Sequence, residues 1–174
     1  MNAGEEMRRQ GGDTRGRVIR RAEREDVPDI LILIRELAEY ERLTTLMSTD
    51  EAGLADALFG PHPGAEVLLA HEDGALAGFA VFCHNFSTFL GRRGLWLEDL
   101  FVRPAYRRRG IGRALLVHLA RLAVERGCGR FEWMALDWNT PAWDFYRAFG
   151  AAPMEEWTTF RVTGQALHDL AARK

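Results

Sequence analysis

The chain is short of several things, and each shortage excludes a class of protein. It holds two cysteines, Cys83 and Cys128, far apart in sequence and in apolar surroundings. They make no disulfide framework and read as buried free thiols of a reducing cytoplasm. The five histidines, at positions 62, 71, 84, 118 and 168, show no ligand spacing, so no metal is expected. No apolar run reaches the length of a membrane span, and residues 1–16 lack the apolar core of a secretion signal. We therefore expect no membrane association. A net charge of -2 leaves no global excess of positive charge, which argues against a nucleic-acid partner. Repeats and linkers are absent too, and 174 residues suit one domain with a single core.

The densest information lies between Leu95 and Leu116. Leu95, Leu97, Leu100 and Val102, with Trp96 and Phe101, form a strand-like run that Pro104 stops. After Gly112, Leu115, Leu116, Leu119, Leu122 and Ala123 recur at helical spacing. Arg107-Arg108-Arg109-Gly110-Ile111-Gly112 therefore sits where a strand hands over to the first turn of a helix. Small residues let a ligand approach the backbone there, and the free amides and dipole of the helix start favour an anion. Five arginines, 103, 107, 108, 109 and 113, surround the turn. The chemistry points to a phosphate. No Lys-Ser or Lys-Thr follows the glycines, and the first glycine of the dinucleotide fingerprint is missing, so neither common nucleotide motif applies.

The remaining chain alternates strand and helix signals. Residues 1–16 read as a disordered lead and residues 17–174 as one domain. Arg17 to Ala22 reads as an edge strand, and Asp26 as the cap of a helix through Glu41 with Pro28 in its first turn. Ser48 with Glu51 suggests a capping box for a short helix that Gly60-Pro61 ends. Strands follow at Glu66–His71 and Leu76–Asn85, joined by an Asp73-Gly74 hairpin turn, with a Gly91–Gly94 turn before the third. Beyond the long helix, from about Gly110 to Arg126, Arg130–Leu136 reads as a strand. Asn139 then caps a helix through Phe149, Glu156–Val162 forms a closing strand, and Gln165–Ala172 forms a last helix. The order β-α-α-β-β-β-α-β-α-β is α/β with a mixed sheet.

Four segments carry a family likeness: ILILIRELAEYER, LWLEDLFV, YRRRGIG and LDWNTPAWDFYRAFGA. Together they resemble the GNAT N-acetyltransferases, and within them the diamine and polyamine group that includes the spermidine/spermine and thialysine enzymes. The resemblance implies the GNAT fold, acetyl-CoA as co-substrate, a primary amine as acceptor and a homodimer. It assigns the pantetheine arm to the backbone of Leu100, Phe101 and Val102. It assigns the pyrophosphate to Arg107, Arg108, Arg109, Gly110, Ile111, Gly112 and Arg113, with Asn139 and Tyr146 also near the cofactor. The departures in residues 82–93 and after Trp157 weaken a polyamine label, and LDWN is nearer to the thialysine branch.

Acetyl transfer needs an amine freed of its proton and a thiolate that gains one. An alkyl ammonium has a pKa of about 10.4, so an acid–base partner is required at neutral pH. By the resemblance Glu98 binds the amine and takes its proton, directly or through water; Asp99 beside it reads as a structural partner of an arginine. Tyr146, a phenol of pKa about 10, matches the general acid for the thiolate. Tyr40, Glu41, Glu132, Trp133, Met134 and Glu155 or Glu156 fall on the family's acceptor contacts. Cys83 and Cys128 fall outside this set, which favours direct attack over an acyl-enzyme. The alternatives are an acceptor that is a protein N-terminus or an aminoglycoside-type amine, and a CoA-binding regulatory module without turnover.

Overall fold

The computed structural model describes residues 16–173. The disordered lead expected at residues 1–16 therefore lies almost wholly outside the described residues. The chain divides between Met134 and Ala135 into two compact units.

The first unit is built on five strands: β1 (Arg17–Arg21), β2 (Glu66–Glu72), β3 (Ala75–Ser87), β4 (Arg92–Val102) and β5 (Phe131–Trp133). They lie in sequence order across one sheet. The first three pairings are antiparallel and β4 with β5 is parallel, so the sheet is mixed as expected. Asp73 and Gly74 both take positive φ, 52° and 80°, which is the primed hairpin turn that their sequence suggested. Helices α1 (Val27–Glu41) and α2 (Glu51–Phe59) cover one face. Their Val27, Ile30, Leu33, Leu37, Leu54 and Leu58 close on Val67, Leu69, Phe79, Val81 and Phe101. Helix α3 (Ile111–Glu125) supplies Ile111, Leu115 and Leu119. It packs against β2, β3 and β4, whose alternate positions Leu68, Ala80, Phe82, Leu95 and Leu97 are also buried.

One irregularity in this sheet matters for the site. Val81 pairs with Asp99, but the next residue, Phe82, pairs with Leu97, so Glu98 has no partner across the β3–β4 ladder. This is a β-bulge, with two residues of β4 set against one of β3. It reverses the alternation. Leu95 and Leu97 lie on the α3 side, whereas Asp99 and Phe101 lie on the α1 side, and Trp96 and Glu98 stay with the latter.

Several local expectations are corrected. Asp50, not Ser48, caps α2: its Oδ1 accepts from the Gly53 amide at 2.7 Å, and the helix begins one residue later. Asp26 stands at the start of α1 without capping it, because Arg20 holds its carboxylate at 2.6 and 2.7 Å. Strand β4 begins at Arg92, inside the expected Gly91–Gly94 turn and ahead of Leu95, and β5 is shorter than Arg130–Leu136.

The second unit contains α4 (Thr140–Arg147) and α5 (Gly164–Ala171). Helix α4 stops two residues before the expected Phe149, and Gly150 follows with φ 81°. Asn139 stands at its N-cap position, where its carbonyl accepts from Ala142 and Trp143, but its side chain does not cap. No strand forms at Glu156–Val162; Trp157 and Phe160 there are 72% and 90% exposed. A strand needs a hydrogen-bonding neighbour, and this unit offers none among the described residues.

Candidate active site

The glycine–arginine turn has the geometry its sequence suggested. Gly110 takes φ 86° immediately before α3, a left-handed conformation that favours glycine, and Arg108 takes φ 61°. A left-handed residue set before a helix turns neighbouring backbone amides toward one side, and the first amides of a helix have no partner within it. These residues fit a pyrophosphate. Val102, which ends β4, leads into the turn. The pairing of β4 with β5 covers Leu95 to Leu97, so β5 does not continue beside Leu100, Phe101 and Val102.

The five arginines have different partners. Arg103 binds Glu36 through three contacts of 2.8 to 3.2 Å and the Leu76 carbonyl at 2.9 Å, so it is structural. Arg107 donates to the Val102 carbonyl at 2.9 Å and lies 4.5 Å over the ring of Tyr40. Arg109 lies 5.4 Å over Tyr106. Arg108 and Arg113 are exposed and form no ion pair among the described residues.

On the α1 side of the sheet three carboxylates gather. Glu41 ends α1 beside Tyr40, whose ring stands 6.4 Å from Phe101. Burial pushes the Glu41 carboxyl above its ordinary value. Glu98 is exposed and accepts from the Trp96 indole at 2.7 Å. Asp99 is pushed up to about 6 by burial, by Glu98 and by Glu41, in that order. No arginine or lysine pairs with any of the three among the described residues. This corrects the expectation of an ion-paired Asp99. The bulge brings both acids to one side, where strict alternation would have separated them.

Cys83 is also nearer than its sequence position suggested. It pairs in register with Trp96 and is half-buried, and burial together with the Glu98 charge pushes its thiol upward. Cys128 is half-buried as well. The raised thiol of Cys83 is a poor nucleophile.

The other acids are engaged elsewhere or stand apart. Glu132 accepts from Asn85 at 2.8 Å and lies 2.7 Å from Arg130, so its charge is already balanced. Trp133 packs against Phe131 with ring centres 4.9 Å apart, and Met134 is half exposed. Asn139, Tyr146, Glu155 and Glu156 belong to the second unit. Tyr146 is half-buried on α4, its ring 5.3 Å from Phe145.

The comparison with known proteins agrees with this geometry. Residues 29–151 match the model of the Acetyltransferase (GNAT) family. The chain belongs to that family. Among GNAT relatives, it is 35% identical over 167 residues to the thialysine N-epsilon-acetyltransferase of Sus scrofa, covering 90% of this chain and 98% of the other. It is 35% identical over 194 residues to the L-ornithine N5-acetyltransferase of Arabidopsis thaliana, covering 86% and 85%. Among solved structures it resembles an integron cassette protein from the mobile metagenome of V. cholerae, at 30% identity and a TM-score of 0.77, covering 91% and 99%. This GNAT protein is thus an acetyl-CoA-dependent N-acetyltransferase that resembles the polyamine and thialysine group, and its mixed sheet with flanking helices is the GNAT fold.

Sequence reasoning missed Asp99 and Cys83 as neighbours of Glu98. No signal in the sequence announces the bulge that puts Asp99 beside Glu98.

Proposed function

We propose that the protein transfers the acetyl group of acetyl-CoA to the primary amine of a small cationic acceptor: a diamine, a polyamine or a thialysine-like amino acid. The observation that carries this reading is the group Glu41, Glu98 and Asp99, three carboxylates without a basic partner among the described residues. Like charges brought together without a counter-ion raise the free energy of the empty site, and a bound ammonium relieves it. The names of the relatives support the same chemistry, since thialysine and L-ornithine both offer a side-chain amine.

In this reading the acids hold the ammonium, and Glu98 or Asp99 receives its proton. Asp99 near 6 is matched to that task at neutral pH better than an ordinary carboxylate. The turn at Arg108–Gly112, with the side chains of Arg108 and Arg113, holds the pyrophosphate, while the backbone of Leu100–Val102 holds the pantetheine arm as an added strand would. Acetyl-CoA supplies the activated thioester. Tyr146 would return a proton to the leaving thiolate, a role that rests on the family likeness. The raised Cys83 thiol supports direct attack without an acyl-enzyme. A homodimer, a cytoplasmic location and a single functional domain over residues 17–174 belong to the same proposal.

The test is CoA release from acetyl-CoA with spermidine, spermine, putrescine, thialysine, lysine and an aminoglycoside. The Tyr146→Phe variant should lose about 100-fold or more in kcat while still binding the cofactor. Turnover confined to neutral or acidic acceptors would sink the cationic assignment; unchanged kcat in the variant would remove Tyr146 from the mechanism.

A further inference from the structure

Buried polar side chains are few in the described residues, and two of them form a pair whose stability value does not explain it. Arg17 opens β1 and Glu72 ends β2; they face each other in register and are 5% and 4% exposed. The guanidinium meets the carboxylate through Nε at 2.8 Å and Nη2 at 3.2 Å. Taking two charges out of water costs about as much as their attraction returns, and apolar pairs in such places are often equally stable. An apolar pair, however, cannot donate a hydrogen bond. Arg17 Nη2 also donates to the carbonyl of Arg109, at 2.7 Å.

That contact fixes a peptide of the turn. In a trans peptide the carbonyl and the following amide point in opposite directions, and the described residues contain no cis bond. With the Arg109 carbonyl drawn toward Arg17, the Gly110 amide points away from it. The left-handed Gly110 then turns the chain into α3, so the amides that follow open in sequence from this peptide. Glu72 completes the device. It neutralises Arg17 and engages its Nε–Nη2 edge, which leaves the second N–H of Nη2 directed at the loop.

We propose that Arg17, held by Glu72, is a positioning residue for acetyl-CoA: it sets the Arg109–Gly110 peptide so that the Gly110 amide is presented to the pyrophosphate. The proposal rests on the assignment of residues 107–113 to the pyrophosphate. Arg17 itself does not touch the cofactor; it acts through the loop.

The experiment compares two acetyl donors. Acetyl-pantetheine carries the thioester but neither pyrophosphate nor nucleotide, so it does not use the loop. Arg17→Lys keeps the charge but cannot hold Glu72 through two nitrogens of one planar group while one of them also donates to the carbonyl. The double variant Arg17→Met with Glu72→Met replaces the pair by apolar side chains and provides a second folded form. In each, KM for acetyl-CoA should rise about tenfold, with kcat, KM for the amine and kcat/KM for acetyl-pantetheine within about twofold of the parent. Unchanged KM for acetyl-CoA in both variants overturns the proposal and leaves the loop assignment intact. Equal losses with both donors also overturn it, because they mark general damage to the fold. A parent protein that prefers acetyl-CoA no more than acetyl-pantetheine overturns the loop assignment itself, and the proposal with it.

Discussion

Replacing Asp99 with asparagine removes a charge that the fold holds at a cost, so the variant should be more stable and less active. Burial, Glu98 and Glu41 push its carboxyl from 3.8 to about 6. Measured against an unfolded chain in which Asp99 titrates normally, that difference amounts to about 3 kcal/mol once the group is ionised. The direction follows from proton uptake. The native protein binds this proton more tightly than the unfolded chain does, so the stabilisation is full below about pH 4 and is lost as the pH rises through about 6. Near pH 7 the parent carries the whole cost and Asp99→Asn none of it, giving the variant an advantage of about 1 to 3 kcal/mol. Urea unfolding across the acid and neutral range should show the two curves converging by about pH 4 and separating above it. The kcat/KM for the amine should fall about tenfold or more in the variant, because the ammonium loses a charged partner. In the parent it should decline as the pH drops through about 6, when Asp99 takes up its proton. Glu98→Gln should shift that midpoint downward by removing a neighbouring charge. Parallel stability curves for parent and variant would refute the reasoning, as would a variant less stable than the parent near neutral pH, since either result means that a cation already balances Asp99.

Two further outcomes test the arginine assignments and the core. Arg113→Ala should raise KM for acetyl-CoA several-fold and flatten its salt dependence, whereas Arg103→Ala, which breaks the contacts to Glu36 and Leu76, should lower the melting temperature and leave that KM unchanged; the reverse pattern would overturn the ranking. Leu119 is fully buried on α3, and Leu119→Ala should destabilise the protein by about 2 to 5 kcal/mol in urea unfolding, with a loss below about 1 kcal/mol contradicting its place in the core.

The elements that sequence disclosed best are those that local chemistry defines. The apolar spacing from Leu115 to Ala123 located α3, Asp73-Gly74 located a turn, and Gly110 and Gly112 marked the handover from strand to helix, though not the left-handed conformation of Gly110. The motif likeness then led to the family, and the acid at Glu98 emerged with it. What stayed hidden depends on contacts distant in sequence. Whether Asp26 caps or pairs is decided by Arg20, and whether Glu132 is free for a ligand is decided by Asn85 and Arg130. The β pattern at Glu156–Val162 is real as a pattern, but hydrogen bonding needs a neighbour that no local pattern guarantees. The bulge at Glu98 is the plainest case. Alternation predicts that Glu98 and Asp99 point apart, and only the register against Val81 and Phe82 reveals that they do not.

That same register explains how one short segment can serve two ligands of opposite charge. Glu98 and Asp99 stand at one point on β4, Leu100 to Val102 continue the strand, and Arg108 to Arg113 follow in the turn and the first residues of α3. From Glu98 to Val102 the strand advances about 13 Å, which exceeds the screening length of about 8 Å at physiological salt. Glu98 and Asp99 are thus separated along the strand from the arginines beyond Val102, while Arg107 alone reaches back over Tyr40, the neighbour of Glu41. On the proposed function, the first group would take the ammonium and the second the pyrophosphate, with the uncharged stretch between them left for the thioester. Without the bulge, one of the two strand acids would face the apolar side of α3, where an unpaired carboxylate is costly, and the group of three would lose one member. The arrangement requires that the two binding events be electrostatically independent at physiological salt. Loop variants should change KM for acetyl-CoA and leave KM for the amine unchanged, and acid variants should lower kcat/KM for the amine and leave KM for acetyl-CoA unchanged; a loop variant that altered the amine KM would show that the two ends act as one field.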